Sequence, residues 1–164
     1  MADRTTVRIR EYRPDDRHAL MSLAPRLTDG VAAWRDSRAV LAAVQEWVAS
    51  SADTAASPDH AVYVAVDDAD KVVGLVTVGK RTHFAGQTDA YVGELITAAG
   101  MERRGIARAL MQAAEMWGRA QGLDYLTLET GAANQPARAF YAAIGYQDED
   151  VRLTKRIAHT PEQT

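Results

Sequence analysis

Residues 93–111 read Gly-Glu-Leu-Ile-Thr-Ala-Ala-Gly-Met-Glu-Arg-Arg-Gly-Ile-Ala-Arg-Ala-Leu-Met, and within them the hydrophobic period changes once. That change constrains the fold more than any other feature of the chain. Tyr91, Val92, Leu95 and Ile96 are the aromatic and β-branched set of a strand. From Ile106 the apolar residues fall at helical spacing, with Ile106, Ala109, Leu110, Ala113, Ala114 and Trp117 on one face. Residues 102–107 therefore sit where a helix begins. The first backbone N–H groups of a helix have no internal acceptor. Gly105 and Ala107 leave room for an anion to reach those amides, and the helix dipole favours it, so the loop reads as a phosphate site. Arg103, Arg104 and Arg108 add charge around it. Taken alone, the loop also fits a plain turn with solvated arginines.

The chain of 164 residues suits one domain with a real core. Its net charge of −3 gives no general affinity for nucleic acid. It has no cysteine, which removes disulfides, thiolate zinc sites and a cysteine nucleophile together. His18, His60, His83 and His159 have no metal-ligand spacing, so no metal is expected. No apolar run is long enough to span a bilayer, and the first residues lack a signal-peptide core. A cytoplasmic protein with no membrane partner is the expectation.

Residues 6–11 alternate apolar and charged side chains as a half-buried strand does. Pro14-Asp15-Asp16 opens a helix with Ala19, Leu20 and Leu23 behind it, and Pro25 ends or kinks it. Thr28-Asp29-Gly30 is a turn signal. A second helix over about 35–50 carries Val40, Leu41, Val44, Trp47 and Val48 at helical spacing, and 50–59 is a polar loop. Residues 61–66 and 72–78 form a hairpin so apolar that both of its faces must be covered. After a loop over 80–89, the strand at about 89–98 leads into the helix, which Gly122 closes. Residues 123–130 form a strand parallel to it, reached through the helix. Residues 134–145 form a short helix with Asn134 as N-cap, Pro136 near its first position and Gly145 past its end. Residues 146–157 read as a final strand and 158–164 as a polar tail. The order β-α-α-β-β-β-α-β-α-β makes 1–164 one mixed α/β domain.

Two blocks now stand in fixed order. One is a strand, then Glu102-Arg-Arg-Gly-Ile-Ala107, then a helix. The other is a strand, then Asn134-x-x-Ala137-x-x-Phe140-Tyr141-x-x-x-Gly145-Tyr146. The pair resembles the acetyl-CoA-binding motifs of the GNAT N-acetyltransferase superfamily, and the element order resembles that family along nearly the whole chain. The resemblance implies a mixed, mostly antiparallel sheet of six or seven strands with about four helices. Its two central parallel strands, about 89–98 and 123–130, would splay to leave a slot for the cofactor. The chain departs from the family where the loop opens, with Glu102 in place of Gln or Arg.

The resemblance also implies roles. Backbone groups of Leu95, Ile96 and Thr97 would pair with the pantetheine arm as an added strand would. Amides of Arg103, Arg104, Gly105, Ile106, Ala107 and Arg108 would hold the pyrophosphate, and Asn134 would bond the pantetheine or a water. Tyr141 matches the family's general acid, and a backbone N–H near Leu95 or Ile96 would receive the oxyanion. Some family members carry a carboxylate where this chain has Gly93. Glu94 is the nearest candidate base, although strand alternation turns it away from the Gly93 face unless a bulge re-aims it. Glu129, acting through a water, is the alternative. Asp29 and Trp34, after the first helix, are candidate contacts for a cationic acceptor.

The function so implied is transfer of acetyl from acetyl-CoA to a primary amine, small molecule or peptide, by direct attack in a ternary complex. A non-catalytic acyl-CoA sensor or scaffold is the alternative. A nucleotide domain of another class ranks last, because neither a Walker loop nor Gly-x-Gly-x-x-Gly is present. The resemblance also admits a homodimer.

Overall fold

A computed structural model describes residues 6–158. The apolar hairpin in the middle of the sequence builds the middle of the sheet. β2 (His60–Val66) and β3 (Val72–Thr82) pair antiparallel, with Val64 against Leu75. β1 (Arg8–Glu11) flanks β2, and β4 (Thr88–Thr97) flanks β3, both antiparallel. β5 (Leu126–Leu128) joins β4 in parallel, which gives the order β1-β2-β3-β4-β5. A parallel neighbour needs a crossover, and α3 (Ile106–Ala120) supplies it.

Both faces of the hairpin are covered, as its composition requires. On one side Leu20 of α1 (Arg17–Leu23) and Val48 and Ala52 of α2 (Ser37–Asp53) pack with Val62, Val64, Val66, Leu75 and Ile96. On the other, Ile106, Leu110, Met111, Ala114 and Trp117 of α3 pack with Val73, Val76, Val78, Ala90 and Val92. Phe140 and Tyr141 of α4 (Gln135–Ala143) lean on this second core. The helix spacing read from the sequence thus identifies the buried side of α3. Among the described residues no helix is long and apolar enough to cross a membrane.

Prolines shape the first helical segment. Pro14–Asp16 is a short 3-10 turn, and after α1 the chain tightens into a second one, Ala24–Thr28, with Pro25 in its first turn. Asp16 is 8 % exposed and takes both guanidinium nitrogens of Arg10, at 2.7 and 3.0 Å, plus the backbone N–H of Arg13 at 2.8 Å. The bond to Arg10 is the main reason its carboxyl is held below the usual range.

Four expectations need correction. The sheet has five strands among the described residues, not six or seven. β5 spans three residues rather than eight, because β4 offers it partners only at Ala90, Tyr91 and Val92. Residues 146–157 form no strand within the chain. Val151, Leu153 and Ile157 there are 76, 90 and 85 % exposed, so their alternating pattern has no core to meet. α2 runs on to Asp53 and β3 to Thr82, which shortens the loops expected around them. His159 and the tail beyond it lie outside the described residues.

Candidate functional site

The site begins with one extra residue in β4. Val78 pairs with Val92 and Val76 with Leu95, so Thr77 alone faces both Gly93 and Glu94. Such a bulge bends a strand and sharpens its twist. β4 leaves β5 at this point. The two are paired through Ala90–Leu126, Tyr91–Thr127 and Val92–Leu128, and β4 then runs on to Thr97 paired with β3 on one edge and, among the described residues, with no strand along residues 93–97 on the β5 edge. The result is an open slot at the C-terminal end of two parallel strands, where α/β sheets commonly bind ligands. Its wall is backbone with hydrogen-bonding groups facing outward.

The bulge also turns Glu94. Val92 and Leu95 both face the α3 core, so Gly93 and Glu94 between them face α2. Glu94 is 5 % exposed, and its Oε2 accepts bonds from the hydroxyl of Ser51 on α2 (2.9 Å) and from that of Thr77. The Thr77 oxygen in turn accepts the Glu94 backbone N–H at 3.0 Å. Two hydroxyls thereby fix the carboxylate on the α2 face. This is the re-aiming that strand alternation alone forbade.

A cavity of about 220 Å³ opens on the same face, lined by Ser51, Thr77, Gly79, Arg81, Tyr91 and Gly93 among others. Arg81 lies 4.3 Å over the Tyr91 ring and bonds Glu129 at 3.1 Å. Glu129 is therefore held at the rim through Arg81. Burial is the main cause that pushes the Tyr91 phenol up. A second cavity of about 250 Å³, lined by Tyr12, His60, Tyr63 and Trp117, contains none of the slot, bulge or loop residues.

Beyond Thr97 the chain kinks through left-handed backbone at Gly100, Arg103 and Gly105 (φ 77°, 59° and 80°). Alternation of this kind points successive amides into one concavity. A Cβ on Gly105 would meet nothing within 4 Å, so the space over these amides is open. The first helical bond after the loop runs from the Ala109 N–H to the Gly105 carbonyl at 3.0 Å. The N–H groups of Ile106, Ala107 and Arg108 are thus the first-turn donors of α3. Glu102 does not face them uncompensated. Arg26, from the second 3-10 turn, bonds it at 2.7 Å and donates its Nε–H to the Thr97 carbonyl at 3.0 Å. Backbone hydrogen bonding first, and Arg26 with it, hold the Glu102 carboxyl below its ordinary range.

Beyond β5 the chain continues into α4. Asn134 caps it, its Oδ1 accepting the Ala137 N–H at 3.3 Å. Tyr141 packs between Phe140 and Tyr146, at ring distances of 5.3 and 5.8 Å, and burial pushes its phenol up to about 12. The connection before α2 reaches across to this side. A Cβ on Gly131 would lie 2.2 Å from the Gly30 carbonyl oxygen, so that crossing needs glycine. With Arg26 on Thr97, the same connection touches both the end of β4 and the turn before α4. Asp29 sits beside this crossing and is exposed. Trp34 is 68 % exposed, and neither residue lines the 220 Å³ cavity.

Ser51, Thr77, Arg81, Tyr91 and Arg26 escaped the sequence reading. Ser51 and Thr77 carry no motif, and only the strand register brings Thr77 to Glu94. Arg26 lies 76 residues before its partner Glu102. The one available signal was the unusual Glu102, which called for a cation.

Comparison with known proteins follows the geometry. No curated protein sequence matches the chain. A putative acetyl transferase from Pyrococcus furiosus superposes with a TM-score of 0.74 at 18 % identity, over 93 % of this chain and 100 % of that one. AAC(6')-Iy, in complex with the bisubstrate analog CoA-S-monomethyl-acetylneamine, gives 0.67 at 18 %, over 93 and 99 %. Glucosamine-6-phosphate N-acetyltransferase from Arabidopsis thaliana gives 0.64 at 14 %, again over 93 and 99 %. At such identities the likeness is one of fold. The model of the acetyltransferase (GNAT) family matches residues 22–146, from before the second 3-10 turn to the Gly145-Tyr146 pair, and the chain therefore belongs to the GNAT family.

Proposed function

We infer that the chain is an acetyl-CoA-dependent N-acetyltransferase acting on a small primary amine in a ternary complex. The observation that carries this is the open edge of β4 at residues 93–97 running straight into the kinked loop of 100–108. Space and chemistry both fit a nucleotide thioester. Open amides and Arg103, Arg104 and Arg108 suit its diphosphate, and the β5 edge of β4 along Leu95, Ile96 and Thr97, where Arg26 already holds the Thr97 carbonyl, suits the amide groups of pantetheine. Asn134, at the mouth of α4, would bond the pantetheine or a water. AAC(6')-Iy was captured with a CoA–aminoglycoside bisubstrate, which supports a small amine as acceptor class.

When bound, acetyl-CoA supplies an acetyl group activated as a thioester. The remaining work belongs to the chain. Glu94 takes the proton that the acceptor ammonium must lose, directly or through a water in the adjoining cavity. Glu129 at the rim is the alternative base. The N–H of Leu95 or Ile96 bonds the carbonyl oxygen as negative charge grows there. Tyr141 donates to the departing sulfur. A phenol near 12 keeps its proton at neutral pH. Handing that proton fully to a thiolate whose acid titrates near about 8.5 would be uphill by roughly 5 kcal/mol. Hydrogen-bond donation is then the larger part of its contribution. With no cysteine in the chain, no cysteine acyl-enzyme forms. Asp29 and Trp34 remain candidates for the outer part of a cationic acceptor.

Thiol release from acetyl-CoA across a panel of amines tests the reading. Release that depends on an amine, and that Tyr141→Phe slows without changing CoA affinity, is expected. CoA binding with no release for any amine class would favour the non-catalytic sensor.

A further inference from the structure

The cavity of about 220 Å³ on the α2 face has two ends of opposite sign. At one end Glu94 stands behind Thr77 and Gly93, its Oε2 held by the hydroxyls of Ser51 and Thr77. Ser51 and Thr54, in the last turn of α2 and at its C-cap, line the same end. A helix C-terminus carries partial negative charge, so the carboxylate and the helix end both favour an ammonium there. The other end lies two residues along β3. Alternation puts Thr77, Gly79 and Arg81 on one face, and Gly79 pairs with Tyr91. Arg81 brings its guanidinium carbon to 4.3 Å over the Tyr91 ring, so its charge stands level with Gly79 and Tyr91. Thr77 and Gly79 are about 7 Å apart along the strand. The floor between the two ends is bare backbone, because a Cβ on Gly79 would lie 2.6 Å from the His60 ring.

No aspartate or glutamate lines this cavity, whereas Lys80 and Arg81 do. Lys80 is neutralised by Asp59 at 2.8 Å. Arg81 donates from Nη1 to Glu129 at 3.1 Å, and these side chains are 53 and 64 % exposed. An exposed pair of this kind is weak. A guanidinium carries five donors in a rigid fork, so one carboxylate oxygen does not exhaust it.

We propose that the acceptor is zwitterionic: a small amine that also carries an oxyanion, carboxylate or phosphate, with the amine at the Glu94 end and the oxyanion on Arg81. This rests on the acetyltransferase reading and narrows it. Arg81 sets which amines are accepted, and Glu129 holds its guanidinium at the rim. Size agrees, since the cavity is smaller than the about 300–1,000 Å³ of sites for drug-sized ligands and suits a metabolite with a few carbons between its charges. Asp29 and Trp34, the acid and aromatic pair that would suit a cationic tail, lie outside its lining.

Matched acceptors test the assignment. β-Alanine against β-alaninamide reads the carboxylate, phosphoethanolamine against ethanolamine reads the phosphate, and the diamine of the same length as β-alanine reads a second cation. In the thiol-release assay at least one oxyanion member should exceed its neutral partner about tenfold in kcat/KM, through KM, and the pair that shows it identifies the source. Arg81→Gln should bring that ratio close to one by raising KM, and Arg81→Lys should keep part of it. Arg81→Glu should turn the preference towards the diamine, an inversion that misfolding cannot produce. Release that favours the neutral members or the diamine in the unaltered protein, or a preference that Arg81→Gln leaves intact, would overturn the zwitterion and uphold the transferase. Calorimetry on CoA-loaded protein reads the same pairs without turnover. Binding of an oxyanion member that depends on Arg81, with no thiol release, would overturn the catalytic reading and uphold the anion subsite. Neither binding nor release for both oxyanion members would overturn the subsite.

Discussion

Replacing Thr77 by valine tests the bulge as the device that aims Glu94. Thr77 and Glu94 are each 5 % exposed, so water does not easily replace what is lost. The threonine hydroxyl accepts the Glu94 N–H at 3.0 Å and donates to the Glu94 carboxylate. The first bond is neutral and contributes about 1 kcal/mol; the second is charge-assisted and contributes about 1.5–3 kcal/mol. Valine keeps the shape and removes both, which destabilises the chain by about 3 kcal/mol. At this chain length each kcal/mol moves the melting temperature by about 2–4 °C, so Thr77→Val should melt about 6–12 °C lower. With Ser51 as the remaining hydroxyl on the carboxylate, kcat should fall about tenfold while the KM for acetyl-CoA holds. Thr77→Ser keeps the hydroxyl and should recover most of both. Thermal melts by circular dichroism and the thiol-release assay read the two effects. A valine variant that melts within about 2 °C of the parent, or a serine variant as impaired as valine, would refute the argument.

Tyr141→Phe should lower kcat about 10- to 100-fold, the value of one charge-assisted bond to sulfur. Because the phenol titrates near 12, the pH–rate profile should show no loss from Tyr141 below about pH 10.5; a basic limb near 10 that vanishes in the phenylalanine variant would contradict this. Arg26→Ala strips Glu102 of its partner beside the anion loop and should weaken CoA about two- to fivefold, and adding Glu102→Gln should restore it, both read by calorimetry. Asp16 has a carboxyl depressed in the folded state, so its contribution is full above the unfolded pKa of about 3.9 and is lost as pH falls through the folded value. Asp16→Asn should cost about 3 kcal/mol at pH 7 in chemical denaturation, with the gap to the parent closing in acid; a constant gap would contradict the linkage.

Some of this architecture is written in local spacing and some is not. Ile106, Leu110, Ala114 and Trp117 repeat at helical intervals, so α3 and the loop before it are legible without a partner. Asn134, Pro136 and Gly145 mark α4 in the same local way. Glu94 is different, since its direction depends on how many β4 residues face Thr77 across the sheet, and no pattern within β4 records that. The short β5 has the same cause, because the bulge that opens the slot also takes away the partners of residues 129–130. Residues 151–157 show the reverse case, a clear strand pattern that meets no partner strand among the described residues. Arg26 was hidden by distance along the chain, although Glu102 advertised the need for it.

Amide hydrogen exchange with and without CoA tests the slot and loop together. Binding should slow exchange at residues 93–97, where the β4 edge gains a partner, and at 103–108, where the first-turn amides gain an anion, and should leave α2 unchanged. Saturation by CoA with protection confined to other segments, or no binding at millimolar CoA, would contradict the account.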